Sequence, residues 1–144
     1  MNLLRSSVLA LAALTAAPAV ADITLYSGRG EPLIAPIISA FTAETGIRVN
    51  VRYGGTAELA ILLQEEGERS PADLFWAQDA AALGAVADLF QTLPQATLDK
   101  VPAAYRDSEG RWIATSGRGR VLAYSTERLG EDEMPATMAD LVDP

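Results

Sequence analysis

Ser27-Gly28-Arg29-Gly30 follows an apolar run, Ile23-Thr24-Leu25-Tyr26, and runs directly into helical periodicity. Glycines in such a turn let the backbone come close to a ligand, and an arginine there can fork onto an anion. Two other turns occupy the same place in their own units: Gly54-Gly55-Thr56 and Ala77-Gln78-Asp79. In an open α/β sheet, ligands sit outside the carboxyl ends of the strands, where helix N-termini also favour anions. Arg29 and Arg118 add positive charge. Each feature also has a plainer explanation. Glycines punctuate ordinary strand-to-helix turns, and a lone arginine is commonly a solvated surface residue. Tyr26 suits a half-buried packing residue as well as a metal ligand, and Asp79 suits a helix cap. Asp73 and Asp79 also make a carboxylate pair of the kind a hydrolase uses. Phe75-Trp76 reads as core.

The elements that must position these turns alternate. Ile23 to Tyr26 is expected to form a strand. Leu33, Ile34, Ile37, Ile38 and Phe41 then recur at helical spacing, with Pro32 and Pro36 in the first turns and Gly46 at the C-terminal cap. Ile47, Val49, Val51 and Tyr53 alternate with polar residues as a second strand. A helix from Thr56, striped by Leu59, Leu62 and Leu63, ends at Gly67. Asp73 to Trp76 is a third strand, and Asp79 caps an alanine-rich helix over Ala80 to Ala87. This β-α-β-α-β-α order predicts a parallel sheet with right-handed crossovers. Past Asp88 the pattern weakens into loops around Pro94 and Pro102. Trp112 to Ala114 and Val121 to Tyr124 read as strands, and Thr137 as the cap of a short helix over Met138 to Val142.

Composition narrows the chemistry further. The 144 residues supply one core, hardly two. A net charge of -8 makes nucleic acid and anionic lipid poor partners. Arg5, the apolar run from Val8 to Val20 and the Ala19-Val20-Ala21 site before Asp22 read as a secretory signal peptide. Cleavage is expected between Ala21 and Asp22, with no membrane span in what remains. The sequence has neither histidine nor cysteine. Serine-histidine and cysteine-histidine catalysis are therefore excluded, and any bound metal must be a hard cation held by oxygen.

Taken together, these residues resemble the periplasmic ferric-iron-binding proteins of ABC importers, within the type II solute-binding proteins. The matching pieces are Ile23 to Arg29, Phe41-Thr-Ala-Glu-Thr-Gly-Ile-Arg-Val49, Leu63-Gln-Glu-Glu-Gly67, Ser70-Pro-Ala-Asp-Leu-Phe-Trp76 and Ser116-Gly-Arg-Gly-Arg-Val121. The resemblance implies a non-enzymatic, monomeric receptor that captures Fe³⁺ with carbonate or phosphate between two lobes. It would then deliver the iron to a permease in the inner membrane. The implied fold is a periplasmic-binding-protein-like α/β lobe with a mostly parallel sheet flanked by helices. It would span residues 22–117, with residues 118–144 as the crossover strand and the start of a second lobe. The resemblance makes Tyr26 a metal ligand and sets Ser27, Arg29, Gln78, Asp79 and Arg118 at the anion or ligand.

The departures are specific. Gly30 stands where many members have a histidine ligand, Glu31 where others have a tyrosine, and Gln78 where some have a glutamate ligand. The family's adjacent tyrosine pair lies beyond the matched region, and this sequence has no Tyr-Tyr. The expectation is the front part of such a receptor, which by itself would bind iron weakly or not at all. The alternatives are a receptor for another small anion or organic solute, an exported hydrolase using Asp73 and Asp79, and an inactive truncated remnant.

Overall fold

A computed structural model describes residues 21–119 and 121–142. The expected signal peptide, apart from Ala21, lies outside the described residues, as do Arg120 and the final Asp143-Pro144.

The elements run β1 (Ile23–Ser27), α1 (Glu31–Thr45), β2 (Val49–Tyr53), α2 (Thr56–Glu66), β3 (Leu74–Trp76), α3 (Ala80–Ala85) and α4 (Gln95–Leu98). Three parallel strands form one sheet in the order β2-β1-β3. In register, Ser27 stands opposite Tyr53 on one side and Trp76 on the other, so all three strands end at one edge. Turn and cap chemistry sets the helix ends. Gly46 takes φ 74° after α1 and donates its N–H to the Thr42 carbonyl, a conformation that a side chain would strain. Asp79 caps α3 by accepting from the Ala82 N–H at 2.9 Å.

Side chains alternate across the sheet, and helices lie on both faces. On one face Tyr26 and Phe75 pack beneath α2 and α3, against Leu59, Ala60, Leu63 and Val86. The opposite face presents Leu25, Val49, Leu74 and Trp76 toward α1 and the segment after α3. A groove of about 1040 Å³ remains there. At the entry to β1, Asp22 is exposed and pairs with Arg48 at 2.9 Å, an exposed bridge of small energetic weight.

Several expectations are corrected beyond Ala85. The third helix stops there and gives way to a 3-10 turn over Ala87–Leu89. The loops at Pro94 and Pro102 contain α4 and a 3-10 turn over Ala103–Tyr105, each entered from its proline. Only one antiparallel bridge, Arg106 to Ile113, forms where a strand over Trp112 to Ala114 was expected. Val121 to Tyr124 is not a strand. Alternation proposes a strand, but a ladder needs a neighbour, and none lies beside this run among the described residues. Val121 is correspondingly 85% exposed. The last expected helix is a 3-10 turn, Ala139–Val142, and the Asp140 carboxylate accepts from the Thr137 N–H before it at 2.7 Å.

Arg111 organises the bridge region. Its Nε donates to Asp107 at 2.9 Å, and its guanidinium also reaches Glu109 and Asp88 at 3.3 and 3.5 Å. The hydrogen bond from Arg111 holds the Asp107 carboxyl below the usual carboxylate range. A depressed pKa contributes stability above the unfolded value, near 3.9, and loses it as pH falls through the folded value. Asp107→Asn is expected to lower the urea midpoint at neutral pH. It should also flatten the loss of stability below about pH 4, as read from midpoints measured across pH.

Candidate functional site

The three strand-end turns are stitched into one surface. The Gly28 N–H donates to the Trp76 carbonyl at 2.9 Å, and the Gly54 N–H to the Ser27 carbonyl at 3.2 Å. Gln78 closes the circuit: its side-chain amide donates to the Gly28 carbonyl, and its backbone N–H to Thr56 Oγ1 at 3.3 Å. Space is tight. A Cβ on Gly28 would overlap Thr56 Oγ1 and lie 3.0 Å from Thr56 Cβ and 3.1 Å from its Cα. Gly28 has no positive φ, so the demand for glycine here is one of volume.

Arg29 is the cation of this surface, which also carries the Glu58 and Asp79 carboxylates. Its Nη2 donates to Ser116 Oγ, across 87 residues of sequence. Its Nε is buried and has no partner among the described residues. A buried, unpartnered guanidinium donor is costly, and it is the sort of group that an incoming anion satisfies.

The other candidate residues take different places. Ser27 is fully buried; its hydroxyl donates to the Arg29 carbonyl at 3.0 Å and accepts from the Arg29 N–H at 3.1 Å. It shapes the turn and has no free hydrogen for a ligand, which corrects its expected direct contact. Gln78 and Asp79 sit at the edge as a turn clamp and a helix cap. Arg118 is exposed, two residues past Ser116 and between two glycines, with no hydrogen bond among the described residues.

Tyr26 is the main correction. It is 1% exposed, and its hydroxyl donates to the Glu66 carboxylate, 3.0 and 3.1 Å from the two oxygens. Glu66 ends α2, which returns antiparallel to the strand and so places that oxygen toward the opposite end of the sheet from Arg29. The Arg52 guanidinium lies 5.4 Å from the ring centroid. A phenol so enclosed cannot reach a ligand at the strand ends. Tyr26→Phe should cost about 1.5–3 kcal/mol in urea unfolding, the value of one hydrogen bond to a charged group, and leave ligand binding unchanged.

The strand-end tyrosine that does face outward is Tyr53, the last residue of β2, at 41% exposed. Partial burial and then the neighbouring Glu31 carboxylate raise its pKa, so the phenol is kept protonated. Sequence reasoning passed over it, although its place just before Gly54-Gly55 was a signal of the same kind as that at Tyr26.

The hydrolase pair does not form. Asp73 precedes β3 and accepts from the Thr24 N–H at 2.8 Å, whereas Asp79 follows the strand's far end. The three-residue strand Leu74–Trp76 lies between them and sets the two carboxylates at opposite ends of β3. Among the described residues there is no cluster of three or more metal-ligating carboxylates. The donor set at this edge suits an anion better than a bare metal ion.

The chain matches the model for the bacterial extracellular solute-binding protein family over residues 26–144. It is 38% identical to the Fe(3+)-binding periplasmic protein of Serratia marcescens, over 99% of this chain and 43% of that protein. It is 36% identical to the major ferric iron-binding protein of Neisseria gonorrhoeae, over 98% of this chain and 44% of that one. The structure superposes on iron-bound HitA from Pseudomonas aeruginosa with a TM-score of 0.80 and 35% identity, covering 87% of this chain and 42% of HitA. It also superposes on the Trichodesmium protein IdiA (FutA) in complex with iron and citrate, with a TM-score of 0.59 and 33% identity, over 65% of this chain and 30% of that one. The chain thus spans less than half the length of these relatives. The chain belongs to the bacterial extracellular solute-binding protein family, whose model it matches across residues 26–144.

Proposed function

We propose that this chain supplies one wall of the substrate-binding component of an ABC importer that captures ferric iron together with an anion. The observation that carries the reading is Arg29, a strand-end arginine with a buried, unpartnered Nε, in a chain whose relatives are named for ferric iron. In this reading Arg29 faces a synergistic carbonate or phosphate, with the exposed Arg118 on the stretch that follows Ser116. Gln78 and Asp79 hold the turn in shape. The anion and the iron are cargo, and the chain does no chemistry on them. Export through the leader cleaved at Ala21/Asp22 would deliver the protein to the periplasm as a monomer, to meet an inner-membrane permease. Residues 22–117 would form the first lobe, and residues 118–144 the crossover toward a second.

A second reading keeps the receptor and changes the cargo to another small anion or an organic solute. Gln78 favours it, because its neutral amide is committed to the Gly28 carbonyl and offers no charge to a metal ion. Equilibrium dialysis of the chain against ferric nitrilotriacetate, with and without bicarbonate, separates the two. Iron retained only with the anion supports the first reading, and anion retained with no iron taken up under either condition supports the second.

A further inference from the structure

We propose that Ser116 is the positioning residue of the anion site: it holds the Arg29 guanidinium at the strand edge toward the ligand, and its hydroxyl hydrogen is a second donor to the same anion. This rests on the reading of Arg29 given above and extends it to a residue on a different segment.

The chemistry follows from the inventory of the two groups. A serine hydroxyl has one donor and two acceptor positions, and the bond from Arg29 Nη2 uses only an acceptor. Its hydrogen is not donated to any acceptor among the described residues. An arginine side chain has much rotamer freedom to lose on being fixed. A guanidinium already held through Nη2 has surrendered part of that freedom before the ligand arrives, so binding is stronger for the same contacts. Ser116 is itself exposed, and backbone bonding of its segment ends at Ala114, whose N–H donates to the Tyr105 carbonyl at 2.8 Å. The Arg29 bond therefore also draws the stretch carrying Arg118 to the strand edge. An anion seated on both residues would tie that stretch to β1.

The test follows the Arg29 Nε–H resonance of the 144-residue chain by ¹⁵N NMR while inorganic phosphate is added. The wild-type resonance is expected to shift saturably. Ser116→Ala should weaken the apparent affinity about tenfold, and Ser116→Thr, which keeps the hydroxyl, should restore it to within about twofold. Both variants should melt with the wild type, because the side chain is exposed. Wild-type affinity in Ser116→Ala, or equal loss in Ser116→Thr, would overturn the role of Ser116 while leaving Arg29 as the anion group. Phosphate retained by Arg29→Ala in equilibrium dialysis as tightly as by the wild type would instead overturn the underlying reading of Arg29, and this inference with it.

Discussion

Gly28→Ala is expected to destabilise the chain by about 3 kcal/mol, one of the largest effects of a single methyl group here. The added Cβ would meet the side chain of Thr56 and lie 3.1 Å from its Cα. Rotating the threonine clears its hydroxyl but not its Cα. Relief must come from moving the start of α2 away from the β1 turn. That movement strains the bonds from Gly54 to Ser27 and from Gln78 to Thr56. Thr56→Gly should be only mildly destabilising by itself and should recover part of the loss in the double variant. A double-mutant cycle on urea unfolding would then give a coupling of at least about 1 kcal/mol. Additive losses would mean that the two turns are not packed as described.

Much of the lobe was legible in the sequence, because the signals that place it are local. Gly46 and Asp79 mark helix ends through bonds that span at most four residues. The alternation from Val49 to Tyr53 needs only a sheet partner, and β1 provides it. What escaped depends on distant residues. Tyr26 sits at a strand end, but its hydroxyl direction is decided by Glu66, 40 residues on. The Arg29 to Ser116 bond joins segments 87 residues apart, and no spacing rule connects them. Val121 to Tyr124 has the pattern of a strand and lacks the neighbour that would make it one. The glycine turn was correctly read as a turn, but the reason for Gly28 was not visible, since it lies in the space occupied by Thr56.

Arg29→Ala is expected to have the largest effect on binding. A charge-assisted hydrogen bond to an anion is worth about 1.5–3 kcal/mol, so its loss should weaken anion binding by about ten- to a hundredfold. Stability should change little, because among the described residues the guanidinium makes one hydrogen bond, to an exposed serine. Removal of the buried, unpartnered Nε also relieves a cost. Arg29→Lys should recover little of the binding: an ammonium keeps the charge but cannot present the planar fork. A comparable change at Arg48, already paired with Asp22 at the start of the sheet, should leave anion binding intact and serves as the charge control.

The central claim is that this strand edge is an anion-facing wall for iron and not a complete metal cage. The most direct measurement is equilibrium dialysis of the 144-residue chain and its Arg29→Ala variant against ferric nitrilotriacetate, each with and without bicarbonate. Iron binding is expected to be weaker than about 1 μM, present only with the anion and lost in the variant. Micromolar or tighter binding that ignores both the anion and Arg29 would contradict it.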